Sequence, residues 1–271
     1  MLTSIRRAVR IIEAFGETQR EWGVGELAAH LAMPSPTVHH FLASFRKAGW
    51  IVQDPATRRY RLATRLWEIG CAAVNFREIA ESARPYLRTL VAECGETVHL
   101  GMVPLEDPHS VVYLDRIDAS HPVRVVTMIG SSAPSHSSAM GKAIVAHNEE
   151  FERAVLKGPL RKVTARTLVD PAALREDLAA TRRRGYSMSV GEFMSDMIGI
   201  AAPVHDRIGT VTLGIGIWAP ADRMTPKFIG RTAPALIETA ERISRQLGYV
   251  APREPVSARR PKRGTARARA S

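Results

Sequence analysis

Met33-Pro34-Ser35-Pro36-Thr37-Val38-His39-His40-Phe41-Leu42-Ala43-Ser44-Phe45-Arg46-Lys47 is the stretch whose reading settles the N-terminal fold. Pro34 breaks whatever precedes it, Ser35 suits a helix N-cap, and Pro36 suits the first helical position. Val38, Phe41, Leu42 and Phe45 then recur at i, i+3, i+4 and i+7, which gathers them on one inward face. Thr37, His39, His40, Ser44 and Lys47 are left on the other. Small polar and cationic side chains on an exposed helix face can enter a major groove and donate to base edges or phosphates.

Working back from this helix, Val24 to Leu31 forms a second short helical pattern. Before it, Ser4 can cap a helix carrying Ile5, Ala8, Val9, Ile11, Ile12 and Phe15 on one side, ended by Gly16. Working forward, Gly49 closes the third helix. Residues 50–53 read as a strand, 54–57 as a turn, and 58–62 as the return strand. That hairpin carries Arg58, Arg59 and Arg61, a set suited to the phosphate backbone or a minor groove. Each part is common alone; three short helices followed by a basic hairpin, in that order, predict a DNA-binding winged helix-turn-helix.

Residues 64–73 suit a linker helix, and 77–94 a longer one with Ile79, Ala83, Leu87, Leu90 and Val91 at helical spacing. Beyond them strands are predicted at 97–102, 111–117 and 123–128, then helices at 138–147 and 172–184. Strands at 186–190, 199–204 and 211–218 and a final helix at 227–247 complete the pattern. Strands and helices mixed in this order predict an α+β domain. The domain boundaries that follow are 1–63 for the winged helix-turn-helix, 64–76 for the linker, 77–250 for the second domain, and 251–271 for a basic tail.

The chain has 271 residues, is 45% hydrophobic and carries a formal charge of +11, enough for two domains with cores of their own. Residues 1–70 hold ten Lys/Arg against six Asp/Glu, residues 71–250 twenty-one against twenty, and residues 251–271 seven against one. The basic excess therefore sits at the two ends, where an acidic partner would meet it. The tail has a single bulky aliphatic residue, Val256, and is expected to be disordered and to attract phosphates without regard to sequence. No apolar run approaches the roughly 20 residues that cross a bilayer, so a cytoplasmic protein is expected. Cys71 and Cys94 lack metal-ligand spacing and are expected to be buried, reduced thiols; no metal or cofactor site is predicted.

Several segments together resemble the IclR family of bacterial regulators. They are residues 4–12 and 33–42, Gly49-Trp50-Ile51 and Tyr60-Arg61-Leu62. Further on come Pro134-Ser135-His136-Ser137-Ser138-Ala139-Met140-Gly141-Lys142-Ala143, Arg184-Gly185-Tyr186-Ser187, Glu192, and Ile200-Ala201-Ala202-Pro203-Val204. The family usually has arginine at the position of His40 and commonly lysine at that of Ser35, so the third helix here carries less fixed charge. The resemblance implies a GAF-like effector-binding domain and a homodimer or dimer of dimers. It also implies ligand-controlled binding to a near-palindromic site on double-stranded DNA, with Ser35, Pro36, Thr37, His39, His40, Ser44, Arg58, Arg59 and Arg61 at the DNA.

Laid on the pocket of family members that sense small carboxylic acids, this chain offers Ala139, Met140, Ser189, Gly199, Gly216 and Trp218. Met140 and Trp218 beside two glycines suit an aromatic or hydrophobic acid better than a two- or three-carbon one. Two other readings compete. An enzyme could use His136 to activate one of the neighbouring serines, although no nucleophile elbow, zinc-protease motif or Walker loop occurs. An architectural protein would bind DNA without ligand or sequence preference.

Overall fold

The computed structural model describes residues 2–17, 19–73, 76–119 and 128–250. Its first unit packs three helices, α1 (Thr3–Glu17), α2 (Val24–Leu31) and α3 (Ser35–Lys47), against a hairpin of β1 (Ile51–Gln53) and β2 (Tyr60–Leu62). Ile11, Phe15, Leu27, Leu31, Val38, Leu42, Ile51 and Tyr60 form its buried centre, and Phe41 and Phe45 pack half-buried at its edge. Trp22 exchanges two backbone hydrogen bonds with Tyr60, at 2.9 and 2.8 Å, which joins the return strand to the segment before α2.

α3 begins one residue earlier than expected. Pro34 occupies the N-cap with extended backbone, Ser35 is already helical, and no side chain caps the helix; the correction follows from the turn after α2 ending in extended geometry at Pro34 itself. At the other end Gly49 has φ +78. Trp50 N–H donates to the Phe45 carbonyl at 2.9 Å and Gly49 N–H to the Arg46 carbonyl at 3.0 Å, a Schellman closure that needs a left-handed residue. The Phe45 and Trp50 rings stack at 5.8 Å, so the closure also fixes the strand's point of departure.

α4 (Thr64–Ala73) and α5 (Phe76–Cys94) lead into a six-stranded antiparallel sheet. Its order is β5 (Ser132–Pro134), β4 (Ser110–Ile117), β3 (Val98–Met102), β8 (Val211–Pro220), β7 (Met197–His205), β6 (Ser187–Val190). One face is covered by α5 and α9 (Pro226–Gln246). The other is covered by α6 (Ala139–Ala146), α7 (Glu149–Lys157) and α8 (Pro171–Arg184). Burial on both faces explains why β7 and β8 read as nearly continuous apolar runs whereas β4 alternates.

The strand expected at 123–128 and the basic tail lie outside the described residues, apart from Met128, which is exposed and in no strand. Of the two cysteines, Cys94 is half-buried, and burial raises its thiol pKa; the Cys71 side chain lies outside the described residues. Among the described residues no helix is long and apolar enough to cross a membrane, and no group of three acidic, His or Cys side chains is placed to hold a metal.

Candidate DNA-reading face and effector cavity

On α3, Ser35, Pro36, His39, His40 and Ser44 are exposed and Thr37 is half-buried, so the face expected to read DNA is open. Ser44 Oγ donates to the His40 carbonyl at 3.0 Å, which leaves only its lone pairs for another partner.

The wing departs from expectation. Asp54 Oδ1 accepts from the N–H groups of Ala56 and Thr57 at 2.8 and 2.7 Å, building the turn and holding its own carboxyl below the usual range, the Thr57 bond foremost. Arg58 sits at the tip with φ +59, and both it and Arg61 are exposed. Arg59 is turned back instead. Its guanidinium meets Glu26 on α2 at 2.6 and 3.1 Å and the Glu21 carbonyl at 3.2 Å. Three wing arginines thus become two outward cations and one internal tie, because a carboxylate 33 residues away in sequence lies within reach of the third.

In the second unit a cavity of about 20 Å³ lies at the N-terminus of α6. Ala139, Met140, Gly199, Gly216 and Trp218 line it together with His99, Tyr113, Ser138, Ile200 and Ile217. Five of the six expected positions therefore come together. Ser189 does not line it: its hydroxyl donates to the Ser137 carbonyl at 2.7 Å, as Ser187 Oγ does to the Ala139 carbonyl. Two serines of β6 are spent holding the loop before α6.

The wall is aromatic. Trp218 Nε1 donates to His99 Nδ1 at 2.8 Å, and Tyr113 and Phe193 lie 5.4 and 6.0 Å from the indole, Phe193 nearly parallel to it. Burial, with the charge of Arg116 second, holds His99 down at about 3 against a backbone hydrogen bond to Gly216, so the ring is neutral near pH 7. Burial likewise pushes the Tyr113 phenol up. Among the described residues, no Lys or Arg lines the cavity. His99, Tyr113 and Phe193 carried no signal in the sequence, since only strand pairing and the fold of the loop after β6 bring them to Trp218.

The Met140 side chain lies in space that three glycines leave open. A Cβ built on Gly101 would lie 2.5 Å from its Sδ, one on Gly214 3.3 Å from its Cγ, and one on Gly216 3.4 Å from its Cε. Three side-chain-free positions on β3 and β8 thus make room for one flexible thioether. The remaining volume is roughly that of a single water.

The loop leading to α6 is polar yet enclosed: Ser135, His136, Ser137 and Ser138 are all buried. Ser138 Oγ accepts from the Gly141 N–H at 3.0 Å and caps the helix. His136 Nε2 lies 2.9 Å from the Arg161 carbonyl, and because a carbonyl can only accept, that nitrogen carries the proton. Behind the loop, the fully buried Lys142 ammonium lies 2.7 and 2.8 Å from the two Glu192 oxygens. It is also 2.8 Å from Asp177 Oδ2, a contact that pairs charge without hydrogen-bonding geometry. Burial raises the Glu192 pKa despite the attraction of Lys142.

Residues 4–55 match the family model described as the IclR helix-turn-helix domain, and residues 71–245 the one described as bacterial transcriptional regulator IclR C-terminal. The chain is 32% identical over 250 residues to the HTH-type transcriptional regulator KdgR of Escherichia coli strain K12, covering 92% of this chain and 94% of that protein. It is 30% identical over 249 residues to the glycerol operon regulatory protein of Streptomyces griseus, covering 91% and 97%. An IclR homolog from Microbacterium hydrocarbonoxydans, solved in complex with 4-hydroxybenzoate, matches with a TM-score of 0.75 at 25% identity, over 90% of this chain and 99% of that one. The KdgR and glycerol operon relatives are transcription regulators rather than enzymes; in the Ser/His loop here Ser138 caps α6 and His136 bonds a backbone carbonyl, while the Ser135 hydroxyl is buried without a hydrogen-bond partner among the described residues.

Proposed function

The chain belongs to the IclR family of bacterial transcriptional regulators, and on that footing we propose that it binds a near-palindromic promoter operator as a homodimer or dimer of dimers, under control of an aromatic carboxylic acid. The acid occupies the cavity at α6, and the protein works in the cytoplasm beside the DNA it reads. The observation that carries the choice of effector is the cavity wall: His99, Tyr113 and Trp218 around a side chain able to leave, with no Lys or Arg among the described lining residues to prefer a small, densely charged acid. An aromatic ring gains by stacking on such a wall, and a carboxylate is favoured at the N-terminus of α6. The 4-hydroxybenzoate complex of the Microbacterium homolog supports the same class. Met140, with three rotatable bonds, is the group that must move.

The test has two arms. At ~150 mM salt the protein should prefer its own upstream intergenic DNA to a random duplex of equal length by about a hundredfold or more, and a suitable aromatic acid should change that preference. In thermal melts 4-hydroxybenzoate or a close relative, at about a hundred times its Kd, should stabilise the protein by about 2–3 kcal/mol. If glyoxylate or pyruvate stabilises and no aromatic acid does, the effector class is wrong; if both duplexes bind equally, the architectural reading gains.

Reading by α3 makes its own prediction. Thr37→Ala and His40→Ala should each weaken operator binding about tenfold while changing random-duplex binding much less, because a base contact discriminates and a phosphate contact does not. Anisotropy titrations on both duplexes decide it, and equal losses on the two would argue against base reading by this helix.

A further inference from the structure

We propose that Glu26, an acidic residue in a DNA-binding unit, positions the wing for the operator, and that Arg59 serves this tie rather than a phosphate. The inference rests on the DNA-binding reading above. The two side chains meet as a two-pronged pair, Nη2 to Oε2 at 2.6 Å and Nη1 to Oε1 at 3.1 Å, the geometry that adds direction as well as energy. Neither partner is free to swing. Glu26 Oε2 also accepts from the Gly23 N–H at 3.3 Å at the start of α2, and Arg59 Nη2 also donates to the Glu21 carbonyl at 3.2 Å.

The other side of the hairpin is tied as well. Arg46 of α3 donates to Gln53 Oε1 at 3.0 Å, and Gln53 Nε2 donates to the Arg58 carbonyl at 3.0 Å. The tip residue Arg58 is thereby held from α3 through Gln53 and, through its neighbour Arg59, from α2. Its own side chain is left exposed.

Magnitudes favour a positioning role over a stabilising one. The Arg59 and Glu26 side chains are 34% and 52% exposed, and an exposed pair contributes little to folding. Electrostatics alone would count Glu26 as a handicap, since a carboxylate repels the DNA backbone. The two views predict opposite signs for one substitution.

Glu26→Gln should weaken operator binding about fivefold, leave random-duplex binding equal or slightly tighter, and leave the thermal midpoint of the full chain nearly unchanged. Arg59→Gln should lower operator affinity similarly without altering the slope of log affinity against log salt. Arg58→Gln, which removes an outward cation, should reduce that slope by about one. The exchanged pair Glu26→Arg with Arg59→Glu should recover part of the operator preference. Tighter operator binding by Glu26→Gln, or a slope reduced by about one in Arg59→Gln, overturns the proposal and returns Arg59 to the phosphate contacts. A wild-type protein that does not distinguish operator from random duplex takes down the underlying reading as well, and is recognised before any variant is measured.

Discussion

Lys142→Met is expected to remove about 3 kcal/mol of stability, because it leaves the buried Glu192 carboxylate without its cation and the half-buried Asp177 with only Arg184 at 3.8 Å. Methionine fills much of the volume, so the loss is one of charge rather than of packing. Glu192 loses both of its hydrogen bonds to Nζ, and Asp177 loses its ion pair at 2.8 Å.

The loss should also depend on pH with a definite sign. The folded-state pKa of Glu192 lies above its ordinary value of 4.5, so its contribution is fully present below that value and is lost as pH rises through the folded pKa. Without Lys142 the folded pKa rises further and the folded state takes up the proton more readily. Urea titrations at about pH 7 and about pH 5 should therefore show the deficit of the variant shrinking on acidification. A deficit under about 1 kcal/mol, or one that grows at the lower pH, would show that the three groups do not act as a buried charge cluster.

Gly141→Ala should be nearly as damaging, against the preference of a helix interior for alanine. Propensity alone would make the change favourable by about 1 kcal/mol. The added Cβ, however, would lie 2.3 Å from the Ser135 Cα and 2.4 Å from its carbonyl oxygen, and backbone cannot step aside as the end of a side chain can. Relief requires the loop before α6 to move, and that loop is fixed by Ser138 capping the Gly141 N–H and by Ser187 and Ser189. A loss of about 3 kcal/mol is expected, together with a weakened response to effector if the cavity onto which α6 opens is the effector site, as proposed. An alanine variant as stable as the wild type would mean that the loop yields at little cost.

The sequence made some of this legible and hid the rest for physical reasons. α2 and α4 fall on the expected residues, α2 because apolar periodicity and the breaker at Pro34 agree, α4 on the spacing of Leu66, Trp67, Ile69 and Ala73 alone. α7 was missed: only Phe151 and Val155 of its nine residues are buried, too few to show a period, although the Asn148 cap and the glutamates of its first turn were available signals. β5 was missed because three residues at a sheet edge carry almost no pattern. The resemblance brought five cavity residues together, whereas His99, Tyr113 and Phe193 depended on the tertiary fold. The Glu26–Arg59 tie spans 33 residues, and nothing local in either segment points to the other.

The cavity filled by Met140 sets a level as well as a shape. An acid that binds there competes with the protein's own side chain, so its apparent affinity equals its intrinsic affinity multiplied by the fraction of molecules in which Met140 has already withdrawn. Each ~1.4 kcal/mol by which the filled form is preferred raises the half-maximal effector concentration about tenfold. The sensitivity of the proposed switch can therefore drift through residue 140 itself, whose size and flexibility set how readily it withdraws while the aromatic wall stays as it is. A bacterium could retune the dose at which a gene responds without changing either the signal or the promoter.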